Sequence, residues 1–128
     1  MEYLITPDQP TSWKINPVDF IENLEKYWYD TTIKTITNPD DYYSIEWVIK
    51  IPEKGTILDG ALHRDGQGIS LDGYLEDCAN FAIWFRSLVP ENQELIFYDQ
   101  GYNYCLKLQP KTTISDIIQL FINHSISA

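Results

Sequence analysis

The strict alternation between residues 43 and 51 constrains the fold more than any other segment of the chain. Tyr43, Ile45, Trp47, Ile49 and Ile51 occupy every second position, and most of the side chains between them are polar. Successive side chains of a β-strand point to opposite faces of its sheet. The segment therefore predicts a long strand with one face buried against a core and the other face open to water.

Cap and turn signals divide the rest of the chain. Asn16-Pro17 predicts a helix start, because Asn caps free N–H groups and Pro is harmless at the first helical position. Helices are predicted over 17–29, 74–88 and 114–123, and strands over 31–37, 43–51, 56–63, 67–71, 94–98 and 104–108. This order, α-β-β-β-β-α-β-β-α, predicts an α+β fold with an antiparallel sheet of about six strands, three helices and a possible short extra strand at 3–5.

Three Asp-Gly pairs, at 59–60, 65–66 and 72–73, mark bends in the chain. Asp65-Gly66 predicts a type I′ hairpin turn, since both residues tolerate a positive φ. Gly60 predicts a β-bulge, and the third pair predicts a helix entry. The spacing of the pairs is too wide for the alternating oxygen ligands of a calcium loop, so no metal is expected.

The charge balance narrows the class of partner. The chain has 19 acidic and 9 basic residues, for a formal net charge of -10. Such a surface repels the phosphates of nucleic acids and the headgroups of anionic membranes, so neither is expected as a partner. A more basic protein would instead be attracted.

Length and composition indicate one domain spanning residues 1–128, because a chain of 128 residues is within the usual domain size. The first ten residues lack a basic segment and a long apolar run, so no export signal is expected. The two cysteines match no metal or redox motif and are expected as free thiols. A cytoplasmic location is therefore expected.

Arg86 lies within the apolar arc of the second predicted helix, where an unpaired charge would be costly. We expect a structural ion pair with Asp59, Asp72 or Asp99. An anion-binding arginine on the floor of a cleft and a side chain that extends to solvent are the alternatives. The candidate binding residues for that cleft are Arg86, Asp72, Asp77, Asp99 and Tyr102.

Nucleophilic catalysis requires a base within hydrogen-bond reach of the nucleophile. Of the two histidines, His63 is expected to be exposed at a strand end, and His124 lies near the chain end. A pairing of His63 with Cys78 or Asp72 is a minor alternative. The place of Cys78 on the apolar arc predicts a buried side chain, whereas Cys105 is expected to be exposed. No catalytic residue and no cofactor are assigned.

Acidic side chains on turns and outward strand faces form a candidate interaction surface beside exposed tyrosines. Tyrosine is large and stiff with a polar tip, which favours protein recognition. The acidic surface residues are Asp40, Asp41, Glu46 and Asp65. The alternative is a solvated rim without a partner.

The stretch LDGYLEDCANFAIWFRSLVPENQELIFYDQGYNYCLKLQP resembles small bacterial single-domain proteins of uncharacterised function. They share an Asp-Gly strand end, a "DCA-FA-WFRSLVP" helix and a "DEGY" turn, which here is Asp99-Gln-Gly-Tyr102. The similarity runs from about Trp47 to Thr113 and implies a bacterial cytosolic protein without implying an activity. The order of elements is similar to the type III secretion chaperone fold, as an analogy of architecture only.

These observations favour a small, acidic, non-enzymatic module that docks a more basic protein, in an immunity-like (toxin-neutralising) or chaperone-like role. An enzyme or small-ligand binder, using Arg86 and nearby acids in a helix–sheet cleft, is the second hypothesis. A homodimer subunit is the third. A binding module requires a large exposed patch, whereas an enzyme requires convergent polar groups in a concavity.

Overall fold

The structure is a computed structural model that describes residues 2–126, with side chains described through Ile122. Its elements in chain order are β1 (Glu2–Thr6), α1 (Pro17–Tyr27), β2 (Thr31–Thr35), β3 (Tyr43–Ile51), β4 (Thr56–His63), β5 (Ile69–Asp72), α2 (Leu75–Ser87), β6 (Ile96–Asp99), β7 (Cys105–Lys107) and α3 (Ile114–Ile126). The predicted α+β class is confirmed, with three helices and seven antiparallel strands where about six were expected.

The seven strands form one sheet in the order β2-β3-β4-β5-β1-β6-β7. β1, predicted only as a possible extra strand, lies inside the sheet between β5 and β6. Tyr3, for example, is opposite both Leu71 and Asp99. The partners of β1 come from distant parts of the sequence, so its short local pattern could not show that it is central.

All three helices pack on one face of the sheet. The ring of Phe20 in α1 lies 5.1 Å from that of Trp47 in β3, and the Trp47 ring stacks 5.6 Å from Phe81 of α2. On the other half of the sheet, the ring of Phe121 in α3 meets Tyr3 of β1 edge-on at 5.4 Å. The core therefore lies between the helices and the face of β3 that the alternation predicted to be buried, from Ile45 to Ile51. Tyr43, predicted on the same face, is the exception: the irregular register between Tyr43 and Ile45 leaves it half-buried on the opposite face, beside His63.

The predicted helix starts of α1 and α3 are confirmed. Asn16 Oδ1 accepts hydrogen bonds from the backbone N–H groups of Val18 and Asp19, at 3.0 and 3.2 Å. At α3, Asp116 N–H donates to Thr113 Oγ1, and Thr113 N–H donates to an Asp116 carboxylate oxygen. This reciprocal pair is a capping box, with Asp in the place of the usual Glu.

The helix ends were predicted less well than the helix starts. α1 ends at Tyr27 and α3 continues to Ile126, whereas the sequence placed these ends at residues 29 and 123. His124 lies on α3, but its side chain is outside the described ones.

Two expectations about glycine turns are corrected. Gly66 has φ +75°, but Asp65 is not among the described non-glycine residues with positive φ, so the β4–β5 hairpin does not have a type I′ turn. Gly60 is not at a bulge: it pairs regularly with Trp47, and the register irregularity of these strands lies between Tyr43 and Ile45. A Cβ at Gly60 would lie 2.5 Å from Cζ2 of Trp47 and nearer still to Nε1 and Cε2. The glycine therefore provides space for the indole.

Candidate functional site

The face of the sheet opposite the helices is open to solvent. Its central part presents Glu46 and Val48 of β3, Ile57 and Asp59 of β4, and Asp72 of β5, all of them exposed. The corresponding inward side chains of these strands are buried in the core. We call this surface the open face. It carries a row of carboxylates, a buried His–Ser pair and a cavity lined by tyrosines.

Three carboxylates lie in a row across the centre of the open face. Asp59 of β4 is directly opposite Asp72 of β5, which in turn is opposite Glu2 of β1. Since Cα atoms of such pairs are about 4.5–5.5 Å apart, this acid row spans roughly 10 Å. Glu46 and the acid row line the same depression of about 220 Å³. Like charges directly opposite each other destabilise a sheet, so the row concentrates negative potential at a cost in stability.

The basic side chains of the open face lie outside the acid row. Lys34, Lys50 and Lys107 belong to β2, β3 and β7, whereas the row occupies β4, β5 and β1. Among the described residues, the ion pairs that the structure shows join Lys54 to Glu76 and Asp77 at the start of α2, away from this face. The acid row and the lysines of this face therefore occupy different strands, although Lys34 lies directly opposite Glu46.

His63 and Ser70 form a buried polar pair next to the acid row. Nε2 of His63 lies 2.8 Å from Oγ of Ser70, and the two residues are 5% and 7% exposed. Burial lowers the pKa of His63, opposed in part by the negative charge of Asp65, so the imidazole is neutral at neutral pH. The expectation of an exposed His63 is wrong, because the rings of Tyr42 and Tyr43 cover it with centroids 4.9 and 5.7 Å away.

The minor pairings considered for His63 are not formed: its partner is Ser70, and Asp72 lies opposite Asp59, four residues before His63 on β4. Its imidazole packs over Gly68, where a Cβ would lie 2.8 Å from Cε1, and this glycine lets the ring reach Ser70. Cys78 is buried on α2, on the opposite side of the sheet. Ser70 was not singled out in the sequence, since a lone serine on a short strand carries no signal of its partner.

A cavity of about 320 Å³ opens on the same face between Tyr42 and Tyr98. His63 also lines it, together with Asp8 and Asp65. The pKa of Tyr42 is raised by burial and by the negative charge of Asp65, as expected for a phenol at the rim of an acidic recess. We call this recess the tyrosine cavity.

Arg86 is 4% exposed, as its position on the apolar arc predicted, but it does not form the expected ion pair. Nη1 donates to the carbonyl oxygens of Val89 and Pro90 at 3.0 and 3.3 Å, and Nη2 donates to that of Glu91 at 3.1 Å. Its guanidinium therefore holds the loop after α2. The sequence suggested a carboxylate partner because side-chain patterns carry no information about free carbonyl groups at a helix end.

The residues proposed for an Arg86 cleft are not brought together. Asp77 and Arg86 are nine positions apart on α2, which is about 13 Å along a helix. Asp77 is 2% exposed, with Oδ1 3.5 Å from Nζ of Lys54 and no hydrogen bond to Oδ2 among the described residues. Asp72 belongs to the acid row on the other side of the sheet.

Asp99 and Tyr102 shape the turn between β6 and β7. The Asp99 carboxylate accepts hydrogen bonds from the Tyr104 N–H and the Asn103 side-chain amide, at 2.9 and 3.0 Å. Burial alone would raise the pKa of Asp99, but these hydrogen bonds lower it below its usual range. Tyr102 has φ +55°, and a hydrogen bond with the Cys105 thiol raises the pKa of its exposed phenol. Both residues therefore have a structural role in the turn.

The predicted acidic surface residues divide into two groups. Asp41 accepts a hydrogen bond from Tyr43 N–H at 3.0 Å and, with the exposed Asp40, belongs to the β2–β3 loop. Arg64 donates to carbonyl oxygens of that loop, which brings a positive charge close to it. Glu46 and Asp65, by contrast, border the two depressions of the open face.

The two cysteines are free thiols, as expected. Cys78 is fully buried, and burial raises its pKa to about 12, which removes it as a nucleophile at neutral pH. Cys105 is exposed on β7.

A second cavity, of about 670 Å³, lies beside the loop that follows α2. Arg86, Lys107 and Lys111 line it together with Glu91 and Glu94. Its charges are mixed, and most of the Arg86 donors are already bound to loop carbonyls.

Residues 2–126 contain no helix that is both long and apolar enough to cross a membrane. Over the same residues, no cluster of three or more His, Cys, Asp or Glu side chains could hold a metal ion. A scan against protein-family models and searches of curated proteins and solved structures gave no match to the chain.

Proposed function

We propose that this protein is a binding module that docks a more basic protein on the open face of its sheet. The observation that carries this proposal is the acid row, Glu2, Asp72 and Asp59, in direct register at the centre of a sheet face that no described helix covers. Immunity-like and chaperone-like roles are both versions of it, since each requires a surface that captures another protein.

The composition of the open face supports a protein rather than a small molecule as the ligand. Exposed apolar side chains, Val48 and Ile57, lie directly beside Asp59 on the two longest strands of the sheet. Protein interfaces combine apolar contact area with complementary charge at this scale, whereas small ligands require an enclosed pocket. The net charge of -10 adds long-range attraction for a basic partner.

The test compares two variants with the same change in net charge. Glu46→Gln/Asp59→Asn removes two of the four carboxylates that line the depression of the open face, and Glu22→Gln/Glu25→Gln removes two exposed carboxylates of α1. Each protein is used as bait in a lysate of the source organism, and captured proteins are purified and titrated against the bait by calorimetry. We expect a basic partner that binds the α1 variant like wild type and the open-face variant about tenfold more weakly.

Stability measurements separate loss of binding from loss of folding. Asp59→Asn relieves repulsion from Asp72, whereas Glu46→Gln removes a carboxylate opposite Lys34. The two effects oppose each other, so the open-face variant should stay within about 0.5 kcal/mol of wild type. Equal weakening by both variants would refute docking on the open face. Capture of only the chain itself, with dimers in solution, would favour the homodimer alternative.

Small-anion binding in the cavity of about 670 Å³ beside Arg86 is the second candidate function, with Lys107 and Lys111 as its cations among the mixed charges that line it. Phosphate and citrate would be titrated at constant ionic strength while the melting temperature is followed. Stabilisation that Lys107→Gln/Lys111→Gln abolishes would support this function, and no stabilisation by either anion would refute it for these ligands.

A further inference from the structure

The tyrosine cavity extends the open face at the end of the sheet where β4 and β5 meet. Its floor contains Leu4 and His63, which belong to β1 and β4 and point to the same side as the acid row. These two strands also carry Glu2 and Asp59, so the cavity and the acid row share strands β1 and β4. A partner that covers the acid row would also lie over the cavity.

The walls of the cavity are aromatic. Tyr42, 65% exposed, lies against the buried His63 ring, and Tyr98 also lines the cavity, with its own ring 4.9 Å from that of Tyr102. The faces of tyrosine rings attract cations, and guanidinium groups stack on them as well.

The charged side chains that line the cavity are both acidic, whereas Arg64 lies behind Tyr42 and donates to the carbonyl groups of Asp41 and Tyr43. Asp8 and Asp65 line it, and no Lys or Arg is among the described residues that do so. A volume of about 320 Å³ is at the low end for ligand pockets, and it suits a single long side chain better than an extended ligand.

We propose that the tyrosine cavity receives one lysine or arginine side chain of the basic partner, with its cation between Tyr42 and Tyr98 and near Asp65. This inference rests on the proposed docking function and specifies it, because it gives the open face a position where one residue of the partner anchors. Anchors of this kind, a cationic side chain desolvated in an aromatic pocket, account for much of the affinity of protein interfaces.

The test uses small probes, so it does not require the partner. Amide ¹H–¹⁵N spectra of the whole protein are recorded during titration with N-acetyl-L-arginine amide, and separately with the lysine analogue, with ionic strength held constant by NaCl. N-acetyl-L-citrulline amide is the neutral control of nearly the same shape. We expect saturable shifts at the amides of Leu4 and Gly68 with one or both cationic probes, and none with the citrulline probe.

Two variants locate the effect. Tyr42→Leu should weaken the binding of the cationic probe about fivefold or more, because it removes one ring of the pair. Tyr29→Leu, which alters a tyrosine that is 96% exposed and distant from the cavity, should leave the binding unchanged. Equal shifts with citrulline, or binding that Tyr42→Leu does not weaken, would overturn the proposal.

The outcomes for the cavity and for the docking function are distinguishable. If the probes do not bind but Glu46→Gln/Asp59→Asn still weakens a captured partner, the cavity proposal is wrong and the docking surface stands. If the cationic probe binds as expected but no partner depends on the open face, the cavity is a site for a small cation and the anchor proposal is wrong.

Discussion

Replacing Arg86 with methionine should destabilise the protein without affecting partner binding. The side chain donates three hydrogen bonds to consecutive carbonyl groups, those of Val89, Pro90 and Glu91, at 3.0, 3.3 and 3.1 Å. Methionine preserves much of the apolar stem that packs in the core but provides no donor. The loop after α2 would then lose the group that fixes its path.

The magnitude follows from what happens to each carbonyl. The bond to Val89 is buried, and an acceptor left without a partner in such a place costs about 1–3 kcal/mol. The bonds to Pro90 and Glu91 are partly buried, so water can replace the guanidinium there at about 0.5 kcal/mol each. Relief from burying a charge offsets part of this, since Nε of Arg86 has no partner among the described residues. The net loss should be about 2 kcal/mol.

The assay is urea unfolding followed by tryptophan fluorescence, with thermal unfolding as a second measurement. At about 2.1 cal/mol/K of unfolding entropy per residue, a loss of about 2 kcal/mol lowers the melting temperature by roughly 7 °C. Arg86→Lys should lose nearly as much, because one ammonium group does not reproduce the planar fork that holds three carbonyls. Lys111→Met, an exposed cation beside the same cavity, is the control and should change stability little. An Arg86→Met variant within about 0.5 kcal/mol of wild type that has lost its partner would refute a structural role.

Three further predictions concern the core, the open face and the thiols. Gly60→Ala should cost about 1–3 kcal/mol or more in urea unfolding, because its Cβ would overlap the Trp47 indole, which is fully buried. The pKa of His63 in the folded protein is below its unfolded value of about 6.5. The stability that neutral His63 contributes is therefore complete above about pH 6.5 and is lost as the pH falls below it. Urea unfolding at pH 7.5 and 5.5 should show this loss of stability in the wild-type protein and a smaller loss in His63→Gln. A thiol reagent should label only Cys105 in the native protein, and both Cys105 and Cys78 in denaturant, with the number of labels counted by mass spectrometry. Two labels on the native protein would contradict the burial of Cys78.

Local patterns predicted the elements of the fold because they depend on neighbouring residues. The alternation predicted the buried face of β3 from Ile45 to Ile51, and Asn16 predicted the start of α1 through its own side-chain hydrogen bonds. The central position of β1 was not predictable in this way. Its place depends on pairing with β5 and β6, whose residues are more than 60 positions away.

The burial of Arg86 that helical periodicity predicted is confirmed, whereas the carboxylate partner predicted for it is wrong. Its hydrogen-bond acceptors are only three to five residues away, but they are backbone carbonyls that any sequence would provide. His63 shows the opposite case, because it is buried by two tyrosines at the start of β3, about twenty residues earlier in the chain, and by a glycine beneath its ring. In both cases the residue type indicated a polar group that needs a partner, and only the three-dimensional arrangement identified it.

The acid row itself is a consequence of how the core packs on the opposite face. Trp47 requires a residue without a side chain opposite it, and Gly60 provides that space. Gly60 in turn pairs with Leu71, and this register places Asp59 directly opposite Asp72. A slip of one residue would turn every side chain of a strand to the other face, so the buried aromatic contact permits only one alignment of the acids. The charge pattern that we propose for partner recognition is thus fixed by the most buried contact of β3 and β4, and a change at Gly60 should disturb both the core and the acid row.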